Sequence, residues 1–112
     1  MKSSIIIKNQ FIAYHRWEDA PDVVAFLRFT HRHIFKVVSY FSVDHDDRDL
    51  EFFMMQKNVQ DFLDNNYKEK TFKKSCEIIA KEILKYYEFN GCYKIEVTED
   101  GENGGIVELW KK

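Results

Sequence analysis

Strict alternation of apolar and polar residues near the start of this 112-residue chain constrains its fold more than any other feature. Residues 5–17 and residues 30–43 both show the two-residue period of a β-strand, because successive side chains on a strand point to opposite faces. Pro21 and its acidic neighbours interrupt the pattern between them. Two long strands are therefore predicted, and the apolar residues 23–29 are compatible with a helical turn that leads into the second strand.

The period changes after an acidic turn at residues 44–49, where apolar residues begin to recur every three or four positions. This spacing predicts a first helix of about three turns, which ends at residues 64–66. A second helix is predicted at residues 71–87, with Thr71 as its N-cap and the Asn90-Gly91 pair as its stop signal. The predicted buried positions are Phe52, Met55, Val59 and Phe62 in the first helix, and Phe72, Cys76, Ile79, Ile83 and either Tyr86 or Tyr87 in the second.

Alternation returns at residues 93–98 and 106–110, on either side of a glycine-rich turn at residues 100–105. The predicted order is therefore β-β-α-α-β-β, in an α+β fold with a four-stranded antiparallel sheet and both helices on one face. The pattern leaves the other face of the sheet partly apolar, which predicts self-association, for example by extension of the sheet into a ring or barrel. We expect a single domain over residues 1–112.

The composition excludes several classes of protein. The net charge is −2 with both signs interspersed, so no basic surface for nucleic acid and no polybasic membrane anchor is expected. The apolar part of residues 1–8 is too short for a signal peptide or a membrane span. Cys76 and Cys92 match neither a disulfide scaffold nor a thiolate zinc site. We therefore expect a protein of the reducing cytoplasm.

A His-x-His pair on the second predicted strand is the first indication of chemistry. His31 and His33 share one face, about 6–7 Å apart along the strand. His15 lies on the first strand, and antiparallel pairing would bring all three imidazoles together. Three histidines with an open fourth position are the ligands that catalytic zinc uses, although such pairs also occur as surface or hydrogen-bonded histidines. His45, in the acidic turn, is interpreted as a solvated histidine.

Two longer motifs resemble a known family. FIAYHR at residues 11–16 is similar to F-x-A-x-H-R, and HRHIFKV at residues 31–37 is similar to H-G-H-x-[YF]-x-V. Both patterns belong to the 6-pyruvoyltetrahydropterin synthase and 6-carboxytetrahydropterin synthase family, which has the T-fold. Shorter matches follow in the family's order: LEF at 50–52, LD at 63–64, SCEIIA at 75–80, VTED at 97–100 and GIV at 105–107.

This resemblance implies a role for particular residues. His15, His31 and His33 match the zinc ligands of the family, and Glu99 matches the glutamate that holds the pterin ring. A carboxylate suits that role, since its two oxygens can accept both N–H donors of a 2-amino-4-oxo-pyrimidine edge. Glu77 is a second, weaker candidate for ligand binding. The resemblance also implies a Zn²⁺ cofactor, a pterin or guanine-type nucleotide as ligand, and a homo-oligomer, a hexamer in the family.

The departures from the family pattern concern proton transfer. The family's catalytic cysteine precedes the H-G-H motif, but residues 26–30 contain no thiol. Asn65 replaces the histidine of the L-D-H motif, and Arg32 replaces the central glycine of H-G-H. Asp64 survives from the family's Asp-His dyad and is the candidate catalytic residue. The alternative proton acceptors are the acids that follow His15: Glu18, Asp19 and Asp22.

Three functions remain open from the sequence. The chain could be an active carbon-oxygen lyase of this family with a substituted general base. It could instead bind or sequester a pterin or purine without turnover, which the loss of both the cysteine and the histidine favours. The third hypothesis is a purely structural T-fold oligomer. Retention of the three histidines argues against it, because a buried imidazole cluster is costly to keep neutral and satisfied.

Overall fold

The computed structural model describes residues 1–109, which form a curled five-stranded sheet with two α-helices packed against it. The first strand pair is joined by a 3₁₀ helix, and a second, shorter 3₁₀ helix precedes the fourth strand. The elements are β1 (Ser4–His15), the 3₁₀ helix Asp22–Arg28, β2 (His31–Ser42), α1 (Phe52–Asn66), β3 (Thr71–Phe72), α2 (Cys76–Tyr87), the 3₁₀ helix Glu88–Asn90, β4 (Cys92–Glu99) and β5 (Gly104–Glu108).

The sheet has the order β3-β1-β2-β4-β5. β1 and β2 pair antiparallel along their whole length, from Ser4 opposite Ser42 to His15 opposite His31. β4 lies antiparallel to β2 on its other side, and β5 pairs with β4 through a tight turn. The mixed α+β class predicted from the alternation is therefore confirmed, in a sheet of five strands.

Two predictions were wrong at the same residues: the sheet has five strands rather than four, and no helix begins at Thr71. Thr71 and Phe72 form β3, which pairs parallel with the end of β1 and adds a fifth strand. The free backbone edge of β1 accounts for this, since the N–H of Tyr14 donates to the carbonyl of Lys70 over 2.9 Å. Helix α2 begins only at Cys76, after its true N-cap, Ser75.

Most other predicted boundaries differ from the structure by one to three residues, the usual uncertainty at the ends of elements. The ambiguous residues 23–29 lie within the first 3₁₀ helix and the residue that follows it. The last strand was predicted at residues 106–110 but runs over Gly104–Glu108, because the backbone on both sides of the turn continues the β4–β5 ladder. Trp110, at the end of the predicted strand, lies outside the described residues.

One hydrophobic core lies between a single face of the sheet and both helices, as the alternation predicts. In α1, Val59 and Leu63 are buried, whereas Phe52 is 57% exposed and does not reach the core as predicted. In α2, Tyr87 is buried and Tyr86 is exposed. The buried core residues of the strands are Ile7, Phe11, Ala13, Phe35, Val37, Phe41, Cys92, Ile95 and Val97.

The opposite face of the sheet is partly apolar. Ile6 on β1 and Ile106 on β5 are 53% and 55% exposed. Both lie in register with outward-facing residues of the neighbouring strands, Tyr40 and Glu96. Within residues 1–109, no helix is long and apolar enough to cross a membrane.

Ser39 provides a test of the strand register. Ser39 lies on β2, and its side chain is 0% exposed. Its hydroxyl oxygen makes no hydrogen bond to any described residue. Burial of an unpaired polar group is unfavourable, so Ser39→Ala should raise the free energy of unfolding by about 1 kcal/mol in urea titrations. The matched control is Ser42→Ala on the same strand, whose side chain is exposed. A loss of stability in the Ser39 variant would contradict the assigned orientation.

Candidate metal centre

Four polar side chains come together at the end of the sheet where the first 3₁₀ helix connects β1 to β2. The β1–β2 register places His15 directly opposite His31, and His33 lies two residues further along β2 on the same face. Glu99 ends β4 opposite Phe35, the next residue of β2 on that face. One ligand atom from each of these four side chains lies within 4.8 Å of the others. The structure therefore assembles the three predicted histidines and adds a carboxylate.

Each imidazole contacts an acceptor through its Nδ1 atom. The Nδ1 atom of His31 lies 2.8 Å from the carbonyl oxygen of Phe29, and that of His33 lies 2.7 Å from Oδ2 of Asp100. The corresponding contact of His15, to the carbonyl of Lys74, is longer at 3.5 Å. Because these oxygens can only accept, the short contacts of His31 and His33 favour a neutral ring with its proton on Nδ1 and an unprotonated Nε2. This is the tautomer that a metal requires at Nε2.

The Nε2 atoms of His15 and His31 are buried and make no hydrogen bond within residues 1–109. A buried polar atom without a partner costs about 1–3 kcal/mol. Burial is also the main cause that lowers the pKa of His15, and it outweighs the opposing effect of Glu99. A neutral imidazole with a free Nε2 lone pair is the ligand form, so the donor set fits a divalent metal ion.

Glu99 lies among the imidazoles rather than apart from them. Its Oε2 atom is 2.7 Å from Nε2 of His15 and 3.4 Å from Nε2 of His33. The approach to His15 lacks the direction of an N–H···O hydrogen bond, since that Nε2 atom has no hydrogen-bond partner. Ligand atoms around a tetrahedral zinc ion stand about 3.3–3.4 Å apart. The distance from Glu99 to His33 matches this spacing but the distance to His15 is shorter, so Glu99 would have to move away from His15 to serve as a fourth ligand.

A cavity of about 550 Å³ opens beside this group. His15, His31 and Glu99 form part of its wall, and the first turn of α2 forms another. Glu77, the second predicted binding residue, lies in that turn and faces the cavity. The remaining wall is mixed in character, with two apolar side chains, Trp17 and Leu27, and the basic residues Arg16, Lys73 and Lys74.

The predicted proton acceptors lie elsewhere. Asp64 is on α1, where it accepts a hydrogen bond of 2.9 Å from the amide of Gln60, and it is not among the described residues that line the cavity. Glu18 lies 3.0 Å from both Arg16 and Lys73, two residues of the cavity wall. Hydrogen bonding and attraction from Lys73 lower the pKa of Glu18 and keep it ionised.

Cys76 is a cavity residue that sequence reasoning missed. Its thiol lines the same cavity as His15, His31 and Glu99, although the missing family cysteine would precede His31. Cys76 is the first residue of α2, and the first turn of that helix forms part of the cavity wall. Burial, followed by the charges of Glu99 and Glu77, raises the pKa of Cys76 to about 12, so the thiol is protonated at neutral pH.

Comparisons with known proteins show the fold and nothing of the function. No protein-family model matches the chain, and no curated protein matches it significantly. The crystal structure of an uncharacterized protein from Wolinella succinogenes is similar, with a TM-score of 0.79. The match covers 96% of this chain and 98% of that one, at 13% sequence identity.

The state of the thiols can be tested directly. Burial raises the pKa of Cys92 to about 11, and both cysteines are free and buried. Neither thiol should react with a disulfide reagent at about pH 8 in the folded protein, since thiolate is the reactive form. Both should react once the chain is unfolded in denaturant, and Cys76→Ser assigns the signal. Rapid reaction of Cys76 in the folded protein would contradict its burial.

Proposed function

We propose that this protein binds Zn²⁺ through His15, His31 and His33, and binds or acts on a pterin or guanine-type nucleotide in the adjoining cavity. The observation that carries the proposal is the convergence of three imidazole rings and Glu99, with one ligand atom from each within 4.8 Å of the others. The Nε2 atoms of His15 and His31 are buried without a hydrogen bond to any described residue, which a bound cation would remedy. The sequence motifs that resemble the 6-pyruvoyltetrahydropterin and 6-carboxytetrahydropterin synthases support the choice of metal and of ligand.

A zinc ion held by neutral imidazoles retains its charge and, when bound, polarises ligand oxygens or acidifies a bound water. The chain itself supplies binding and orientation. Trp17 and Leu27 offer apolar surface for a planar ring, and Glu99 offers two acceptors for its amino and ring N–H groups. Glu77, in the first turn of α2, is the second carboxylate within reach of the cavity.

Catalysis by Asp64 requires that it reach the ligand. In one chain it lies on α1 outside the cavity wall, so the proposal assigns it a catalytic role only in an assembly that brings a neighbouring copy to the cavity. The resemblance implies such a homo-oligomer, a hexamer in the family, and the exposed Ile6 and Ile106 on the outer sheet face support association. Sedimentation velocity on the purified protein tests this part of the proposal.

Binding without turnover is the second candidate function. The observation that favours it is the state of Cys76, the thiol that lines the cavity. In the metal-free protein the pKa of this thiol is raised to about 12, so in that state it is protonated at neutral pH and is a poor proton acceptor. An assay of the zinc-loaded protein with dihydroneopterin triphosphate separates the two candidates, because product formation would establish a lyase and binding alone would establish the second function.

The metal ligands are tested by substitution. His31→Ala removes one of three imidazole ligands, so zinc affinity should fall by more than the roughly 10–100-fold typical of changes to residues that only support a ligand. His45→Ala is the matched control, since this histidine is exposed in a turn beside Asp49. Zinc content after purification and affinity in competition with a chelator provide the measurement. Equal zinc content in the His31 variant and the wild type would end the site assignment.

The role of Glu99 is tested separately. Glu99→Ala should keep zinc on the three imidazoles but weaken neopterin binding by about 10–100-fold, as expected for loss of charge-assisted hydrogen bonds. Fluorescence titration measures the affinity, and Glu102→Ala, at an exposed position of the turn that follows β4, serves as the matched carboxylate control. If the Glu99 variant loses zinc as completely as the His31 variant does, Glu99 is a metal ligand and not the ring anchor.

A further inference from the structure

Asp100 makes an unusual set of contacts with β2. Its Oδ2 atom lies 2.7 Å from Nδ1 of His33, while its Oδ1 atom accepts a 2.9 Å hydrogen bond from the N–H of Ile34. The N–H of Asp100 in turn donates to the carbonyl of Ile34 over 2.7 Å. Both carboxylate oxygens and the backbone are therefore engaged with two consecutive residues of one strand.

The turn between β4 and β5 fixes this carboxylate in place. Asp100 has a φ of 57°, the left-handed region that aspartate and asparagine tolerate better than most residues. The N–H of Glu99 donates to the carbonyl of Asn103 over 2.8 Å, and that of Glu102 donates to the carbonyl of Glu99 over 3.0 Å. These bonds close the turn around Asp100, so its side chain is directed at His33 by the backbone.

We infer that Asp100 is a positioning residue, which holds His33 in the Nδ1–H tautomer and directs its Nε2 atom at the other imidazoles. A carboxylate can only accept, and Asp100 lies closer to Nδ1 of His33 than Glu99 lies to Nε2, at 2.7 Å against 3.4 Å. The single proton of the neutral ring is therefore kept on Nδ1. A carboxylate behind a histidine also makes the ring a better donor to a metal. His15 and His31 contact backbone carbonyls instead, so among the three histidines only His33 has a side-chain partner at Nδ1.

Under this assignment the adjacent residues Glu99 and Asp100 have different roles. Glu99 faces the cavity and the Nε2 atoms, whereas Asp100 contacts the far nitrogen of His33 and does not line the cavity. A turn that needed only backbone hydrogen bonds would not require a carboxylate against the imidazole. The consequence for metal affinity rests on the proposed zinc site, but the tautomer of His33 does not, and the two can be measured independently.

The test uses Asp100→Asn, which tolerates the same backbone angle and can present an N–H group to His33. In the metal-free wild type at about pH 8, long-range nitrogen–proton NMR spectra should show His33 as the Nδ1–H tautomer. In the variant the Nε2–H tautomer should appear, and zinc affinity should fall by about 10–100-fold. Glu102→Gln, an exposed residue of the same turn, is the matched control and should change neither quantity.

Each possible result of these measurements either supports or overturns the inference. An Nε2–H tautomer in the folded wild type would overturn it, even if the Asp100 variant failed to fold. The same tautomer in wild type and variant, or zinc affinities within about twofold, would overturn it too. A wild type with the Nδ1–H tautomer but no zinc affinity would end the proposed metal function and still support the role of Asp100 in holding the ring.

Discussion

The antiparallel pairing of β1 with β2 is the interaction on which the rest of the structure depends. Its register places His15 opposite His31 and Ala13 opposite His33, so one face of the sheet carries both the core and the imidazoles. A slip of one residue would move every side chain of a strand to the other face. Phe11 and Phe35, stacked at 5.2 Å within the core, stabilise the register that also brings the histidines together.

The cluster of three imidazoles is energetically unfavourable when no ion is bound to it. The carboxylate of Glu99 lies against the Nε2 atoms of His15 and His33, yet the Nε2 atoms of His15 and His31 are buried without a hydrogen bond among the described residues. The three Nδ1 atoms lie near carbonyl or carboxylate oxygens. The two buried Nε2 atoms without a hydrogen bond are what distinguishes the group from a set of ordinary hydrogen-bonded histidines.

Much of this arrangement could be predicted from local pattern. Alternation identified both long strands and the face shared by His31, His33 and Phe35, since a two-residue period needs no tertiary information. The helical spacing located α1 and α2, but it could not exclude Thr71 as a helix cap. That residue pairs with β1 instead, because the free edge of β1 offers backbone partners that only the assembled sheet provides.

The roles of individual acidic residues and thiols were harder to predict from the sequence. Asp64 fits a motif in the sequence yet lies on α1 away from the cavity, whereas Cys76 fits no expected position and lines it. The role of Asp100 could not be predicted from the sequence, where only its position after Glu99 is visible. Its contact with His33 joins residues that are 67 positions apart. Contacts between distant segments depend on how the turn and the helix pack, and no local period encodes that packing.

The sequence by itself determined the mixed class of the fold, the place of the two helices between the two strand pairs and the three histidines that share one face. Those properties follow from local spacing, which the backbone geometry of strands and helices converts directly into direction. Only the tertiary structure decided the fifth strand, the place of Glu99 among the imidazoles, the thiol in the cavity and the carboxylate behind His33. Each of these depends on the close approach of segments that are far apart in the chain.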